Sequence, residues 1–191
     1  MRIDLRVGVG LVVATTAALA ATLGAPQPAT PQISLVDNTV AMDPPPDPDD
    51  GSLRGDEFLT PFDVQNAAVG RLEPGLLAAV QGAANQAEAE GITMTITSGW
   101  RSPEFQQRLL DDAIVTYGSF TAARQYVQAP EASKHVVGAA VDVGGEGADQ
   151  WLIANGSRFG LCQIYANEVW HFELATDTAG LCPPLLPDAA G

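Results

Sequence analysis

His135 and His171 are the only imidazoles in this 191-residue chain, and each lies a short step from a carboxylate. Asp142 follows the first histidine by seven positions, and Glu168 precedes the second by three. Two imidazoles and one carboxylate form a set that zinc accepts, leaving the fourth tetrahedral position for water as catalytic sites do. His135, Asp142 and His171 are therefore the expected ligands of one zinc ion. Zinc acidifies water, and a nearby carboxylate that does not ligate the metal takes up the proton during attack. Glu168 is the candidate base. Arg101 offers a fixed cation for a tetrahedral oxyanion or a substrate carboxylate, and Ser98, Gln106 and Ser133 are candidate hydrogen-bonding groups for substrate. Each residue alone has an ordinary reading, a packing histidine, a paired aspartate, a capping arginine. Their coincidence in one chain carries the argument.

These residues need elements to hold them. Ser133 to Asp142 reads as a loop carrying His135 and running into a short strand over Gly138–Val143. Alternation there sets Asp142 on the face opposite Val141 and Val143. In Trp170–Leu174, Trp170, Phe172 and Leu174 alternate with His171 and Glu173, so His171 is expected on the polar face. Glu168 and His171 are three apart, a spacing that a regular strand would split between two faces, so a turn or bulge near Val169 is expected. Ile92–Thr97 alternates apolar residues with threonine and reads as a strand delivering Ser98-Gly99-Trp100-Arg101. Helices are expected over Pro74–Glu90, from Ser102-Pro103 onward with Ser102 as the cap, from Ser119 through Val127, and over Ala148–Phe159 with Gly160 as the stop. Leu161–Tyr165 is a further strand candidate. Strands and helices mix without a βαβ repeat, which implies a compact α+β domain with a small, mainly antiparallel sheet.

The flanking segments set the compartment. Residues 1–24 begin with Arg2 and Arg6, run apolar from Val7 to Leu23 and contain Ala18-Leu19-Ala20, the grammar of a signal peptide; an uncleaved membrane anchor is the alternative. Residues 25–57 are rich in proline and aspartate and are expected to be a disordered spacer or tether. The folded domain is expected over residues 58–183, with a tail over 184–191. Nine basic against 23 acidic residues give a net charge of −14, which opposes binding to nucleic acid. Cys162 and Cys182 are the only cysteines, and an even count in an exported chain favours a disulfide across the Glu168–His171 segment, with two separate buried thiols as the alternative. Oligomeric state is not encoded in any pattern here.

The order of motifs resembles a known family. Ser-Gly-aromatic-Arg-Ser at Ser98–Ser102, then Ser-x-His-x-x-Gly-x-Ala-x-Asp at Ser133–Asp142, then Glu-x-Trp-His at Glu168–His171 are similar to the VanY-type D-alanyl-D-alanine carboxypeptidases, over roughly Ile92–Leu174. The resemblance implies zinc on His135, Asp142 and His171, Glu168 as base, and Arg101 contacting substrate or transition state. It also implies the D,D-peptidase fold, an α+β domain shared with the hedgehog signalling domain, and a peptidoglycan stem peptide as substrate. One departure is Val169, where the family commonly has proline, so the expected turn must form without proline's preset φ.

The same zinc site would also serve an L,D-carboxypeptidase or an L-alanyl-D-glutamate endopeptidase. A non-catalytic zinc-containing module that binds cell-wall peptides or a protein partner is the reading from another class, and the presence of Glu168 and Arg101 argues against it. A purely structural zinc domain fits poorly, because three ligands with an acid nearby leave the metal open.

Overall fold

The protein is described by a computed structural model over residues 47, 49–54 and 57–191. The expected signal peptide or anchor and most of the expected spacer lie outside the described residues. Among those described, no helix is long and apolar enough to cross a membrane.

Among the described residues, five α-helices and four strands follow in the order α1 (Ala67–Gly70), α2 (Pro74–Ala89), β1 (Thr95–Ser98), α3 (Pro103–Tyr117), α4 (Phe120–Ala123), β2 (Ala140–Gly144), α5 (Ala148–Asn155), β3 (Leu161–Gln163) and β4 (His171–Leu174). The strands form one sheet in the order β1-β2-β4-β3, every neighbouring pair antiparallel. This is the α+β architecture with a small antiparallel sheet expected above. One face of the sheet makes the core. Ile96, Val141, Val143 and Phe172 pack there with Leu76, Val80, Ala83 and Ala84 of α2 and with Trp151 and Leu152 of α5. Because strand side chains alternate, burying these residues turns Asp142 and His171 to the other face. A smaller apolar cluster, Leu110, Ala113 and Ala123, joins α3 to α4.

Local chemistry explains the element ends. Ser102 Oγ accepts from the Phe105 amide, Pro103 occupies the first helical position of α3, and Gly118 closes it in the left-handed conformation. Ser119 caps α4, which is shorter than expected and stops at Ala123. Over the Ala148–Phe159 segment the helix is α only to Asn155, and Gly156–Phe159 tightens to a 3₁₀ turn before Gly160. Helix α1, a single turn capped by Asn66, had no periodic signal in so short a run.

Residues outside the expected bounds of 58 and 183 also contact the domain. The Ser102 amide donates to Asp50 O at 2.8 Å, and the Asp50 carboxylate pairs with Arg108. Asp50, in the stretch read as spacer, is thus fastened to α3, because its charge has a cationic partner that composition alone does not reveal. The tail at 184–191 is also tied to the domain, through its backbone and the buried Ala189. Leu186 pairs in parallel with Tyr165, its amide donating to Ile164 O at 2.9 Å and its carbonyl accepting from the Ala166 amide at 2.8 Å. Cys162 and Cys182 are joined in a disulfide that ties the base of this tail to β3.

Candidate metal centre

The register of β2 against β4 sets Asp142 directly opposite His171. On the other side of β2, a register shift between Ile96 and Ser98 brings Ser98 opposite Asp142, so an irregularity in β1 turns Ser98 toward the same face. His135 reaches this row from the loop before β2. Gly138 allows the chain to turn there, with φ of +72° and the Arg71 carbonyl only 2.5 Å from where a Cβ would stand. Gly99 permits a comparable approach, the Ala68 carbonyl oxygen lying 2.0 Å from where a Cβ would stand, and its own carbonyl accepts from His135 Nδ1–H at 2.7 Å.

Three potential ligand atoms converge. His135 Nε2 lies 3.3 Å from His171 Nδ1, His171 Nδ1 lies 3.1 Å from Asp142 Oδ1, and His135 Nε2 lies 3.4 Å from Asp142 Oδ1. Zinc–ligand bonds of about 2.0–2.2 Å in a tetrahedron require edges of about 3.3–3.6 Å. Two edges of the triangle lie in that range and the His171–Asp142 edge, at 3.1 Å, is slightly short of it, so the three atoms can close on zinc with a small adjustment. The second nitrogen of each ring is already committed outward, His135 Nδ1 to the Gly99 carbonyl and His171 Nε2 to Glu173 Oε1 at 3.0 Å. Those bonds fix the ring tautomers so that the remaining lone pairs face the centre, as outer partners of metal-ligating histidines do. All three side chains are buried, and no other group of His, Cys, Asp and Glu among the described residues converges in this way.

The remaining expected residues gather around the triangle. Arg101 donates from Nη2 to Asp142 Oδ2 at 2.8 Å, from Nε to Ser98 Oγ at 2.8 Å and from Nη1 to Gln106 Oε1 at 3.1 Å, so its guanidinium is held by three partners. Ser98 and Gln106 thus orient Arg101 here. Ser133 lines the cleft beside His135 and is buried. The segment before β4 forms a turn, with the His171 amide donating to Glu168 O at 3.2 Å, so the irregularity required near Val169 is present without proline. That turn brings Glu168 Oε2 to 4.0 Å from His171 Nδ1, while Glu168 Oε1 is buried with no hydrogen-bond partner among the described residues.

The electrostatics follow from burial and these contacts. Burial pushes the Glu168 carboxyl up to about 7, aided by the Asp142 charge and opposed by His171 and Arg101. Burial pulls the His171 imidazole down, but its hydrogen bonds to Asp142 and Glu173 outweigh that and hold it at about 9. His135 is lowered by burial and by Arg101, and Arg101 itself is lowered by burial. Burial would raise Asp142, yet His135, His171 and Arg101 hold it well below the usual carboxylate range. The centre combines a firmly anionic ligand with a carboxyl near neutrality, the division of labour that acid–base chemistry at pH 7 requires.

Four further residues contribute that the sequence motifs do not include: Glu173, Gln128, Tyr165 and Ala189. Glu173 lies on the same face of β4 as His171, so strand alternation was the signal that could have found it. Gln128 donates from Nε2 to the Tyr165 hydroxyl at 3.3 Å and to Ala189 O at 2.8 Å, and its backbone carbonyl accepts from Gln106 Nε2 at 2.8 Å. Tyr165 stands with its ring 5.1 Å from that of His171. Neither Gln128 nor Ala189 carries a local motif.

Comparison with known proteins bears on this centre. The family model described as VanY, D-alanyl-D-alanine carboxypeptidase, matches residues 70–176. A D-alanyl-D-alanine carboxypeptidase of Enterococcus faecalis (strain ATCC 700802 / V583) is 30% identical, the match covering 45% of this chain and 41% of that protein. The chain thus spans about two fifths of that relative's length. Among solved structures, a glutamate-to-alanine mutant of the vancomycin-resistance D,D-pentapeptidase VanY, in complex with Zn(II), superposes with a TM-score of 0.51 at 27% identity, covering 53% of this chain and 71% of that one. VanYB in complex with D-alanine-D-alanine superposes with a TM-score of 0.51 at 25% identity, covering 53% and 70%.

Proposed function

The chain belongs to the VanY family of D-alanyl-D-alanine carboxypeptidases, and from that premise we propose that it is a zinc-dependent carboxypeptidase removing the terminal D-Ala from peptidoglycan stem peptides. The observation that carries the reading is Glu168 Oε1, buried beside the ligand triangle without a partner among the described residues. A buried carboxylate oxygen left without a partner costs stability unless a substrate or a reacting water uses it.

His135 Nε2, Asp142 Oδ1 and His171 Nδ1 would hold the zinc. Bound there, zinc supplies Lewis acidity, drawing electron density from the scissile carbonyl and acidifying water. The chain's own residues do the rest. Glu168, raised toward neutrality by burial, takes a proton from the attacking water and delivers it to the nitrogen of the departing D-Ala. Arg101, oriented by Ser98, Gln106 and Asp142, presents a positioned cation to the oxyanion or to the terminal carboxylate of the peptide. Ser133 and the other cleft polar groups complete the recognition of that terminus. The complexes of the solved relatives with Zn(II) and with D-alanine-D-alanine support both the metal and the substrate class.

This substrate lies outside the cytoplasm. Residues 1–24 would provide export, as signal peptide or anchor, and the stretch from residue 25 toward the docked Asp50 the spacer to the domain. A disulfide between Cys162 and Cys182 is consistent with an oxidising compartment.

The test is incubation of the zinc-loaded protein with synthetic stem pentapeptide and tetrapeptide, products being read by mass spectrometry. Loss of one D-Ala from the pentapeptide alone is expected. Cleavage of the tetrapeptide would indicate L,D-specificity, internal cleavage an endopeptidase, and no cleavage with zinc bound a binding module.

A further inference from the structure

The segment after Cys182 reaches the cleft at one residue, Ala189. It leaves β3 at the Cys162–Cys182 disulfide, runs parallel to Ile164–Ala166 through Leu186, and brings Ala189 into the cleft wall beside Gln128 and Tyr165. Ala189 is 5% exposed. Both of its backbone polar groups are tied, the amide to Gln125 O at 3.3 Å and the carbonyl to Gln128 Nε2 at 2.8 Å. Gln128 in turn binds Gln106, which binds Arg101. The wall therefore stands one hydrogen-bonded residue from the group that holds Arg101, and Tyr165 connects it to His171 on the other side.

We propose that this strap, residues 183–189, is a specificity-determining wall of the cleft, and that Ala189 restricts the terminal residue of the peptide to one with a small side chain. The inference rests on the carboxypeptidase reading and adds a determinant that lies beyond the sequence motifs of the site. A wall fixed at both its N–H and its C=O, and anchored upstream by a covalent bond, does not step back to admit a larger group. A fixed apolar wall discriminates by about ten- to a few-hundredfold per added carbon group.

The experiment compares wild type, Ala189→Leu and the paired Cys162→Ser/Cys182→Ser variant, zinc-loaded, on stem peptides ending in D-Ala-D-Ala and in D-Ala-D-Leu. Wild type is expected to favour the D-Ala terminus at least tenfold in kcat/KM. Ala189→Leu is expected to raise KM for the D-Ala peptide at least tenfold with kcat within threefold, since the reacting groups are untouched. Releasing the strap in the serine pair is expected to reduce the discrimination to less than threefold, by gain on the D-Leu peptide. Zinc content and thermal unfolding identify a variant that has failed to fold, in which case Ala189→Val and wild type reduced by a non-chelating phosphine take its place. An Ala189→Leu or Ala189→Val protein with KM within twofold of wild type, or a released strap that keeps full discrimination, overturns the proposal. If wild type binds zinc but turns over neither peptide, the carboxypeptidase reading fails on its own. The strap is then judged by calorimetric affinity for the same two peptides, where equal binding by wild type and Ala189→Leu overturns it.

Discussion

Asp142 and His171 are cross-strand partners in the β2–β4 pair, and Asp142 Oδ1 lies 3.1 Å from His171 Nδ1 while Asp142 Oδ2 accepts from Arg101 at 2.8 Å. One carboxylate thus serves two buried cationic or metal-directed groups through its two oxygens. The sheet register fixes that division: a slip of one residue would turn Asp142 into the core and expose Val141 and Val143 to the cleft.

Replacing Asp142 with alanine therefore removes a metal ligand and strands Arg101. Loss of stoichiometric zinc binding is expected, together with destabilisation of about 3 kcal/mol or more, the magnitude seen when one partner of a buried ion pair is removed. Metal analysis after dialysis and denaturant unfolding measure the two effects separately.

Glu173 holds the outer nitrogen of His171. Glu173→Ala is expected to weaken zinc binding about 10–100-fold, as loss of such an outer partner does, with the fold retained because Glu173 is only partly buried. Competition with a chromophoric chelator reads this directly.

The pH behaviour of the metal-free protein has a definite sign. Glu168 is raised from 4.5 to about 7, so the folded state holds a proton that the unfolded state has lost between those values. His171 is raised from 6.5 to about 9, so the folded state again holds the extra proton over that window. Stability conferred by His171 is full below about 6.5 and is lost as pH rises through about 9, and the Glu168 contribution also declines with rising pH, between about 4.5 and 7. The melting temperature of the metal-free protein is therefore expected to fall from pH 5 to pH 9, and Glu168→Gln to flatten the acidic half of that decline. Zinc uptake at pH 7.5 is expected to release protons, since ligation needs an unprotonated His171 Nδ1. Calorimetry in buffers of different ionisation enthalpy counts them.

Arg101→Ala is expected to lower kcat by about 10²–10³-fold, the usual effect of removing one oxyanion-directed donor, with zinc still bound. Arg101→Lys should recover little, because an ammonium group cannot occupy the fork that Ser98, Gln106 and Asp142 define. Steady-state rates with metal analysis decide both.

The ligand row was legible because it rests on short-range rules. Alternation in Ala140–Val143 and in His171–Leu174 sorts valine and phenylalanine from aspartate and histidine, and the three-residue gap from Glu168 to His171 demands the turn that is found. Ser102-Pro103 announces α3 through capping chemistry that involves only neighbouring residues. What could not be read depends on partners distant in the chain. Asp50 is part of the fold because Arg108 meets it, and Ala189 is part of the cleft because Gln125 and Gln128 hold it. Neither Asp50 in an acidic, proline-rich run nor Ala189 in a tail of small residues has a period or motif to announce that contact. The register shift in β1 that turns Ser98 toward Arg101 is likewise set by pairing with β2 rather than by Thr97 itself.

Turnover by Glu168→Ala with zinc in place tests the central claim most directly. The stem pentapeptide assay, run beside metal analysis of the same protein, is expected to show kcat reduced by about 10³-fold at one zinc per chain. A Glu168→Ala protein that holds its zinc and hydrolyses the pentapeptide within tenfold of the wild-type rate would contradict the account.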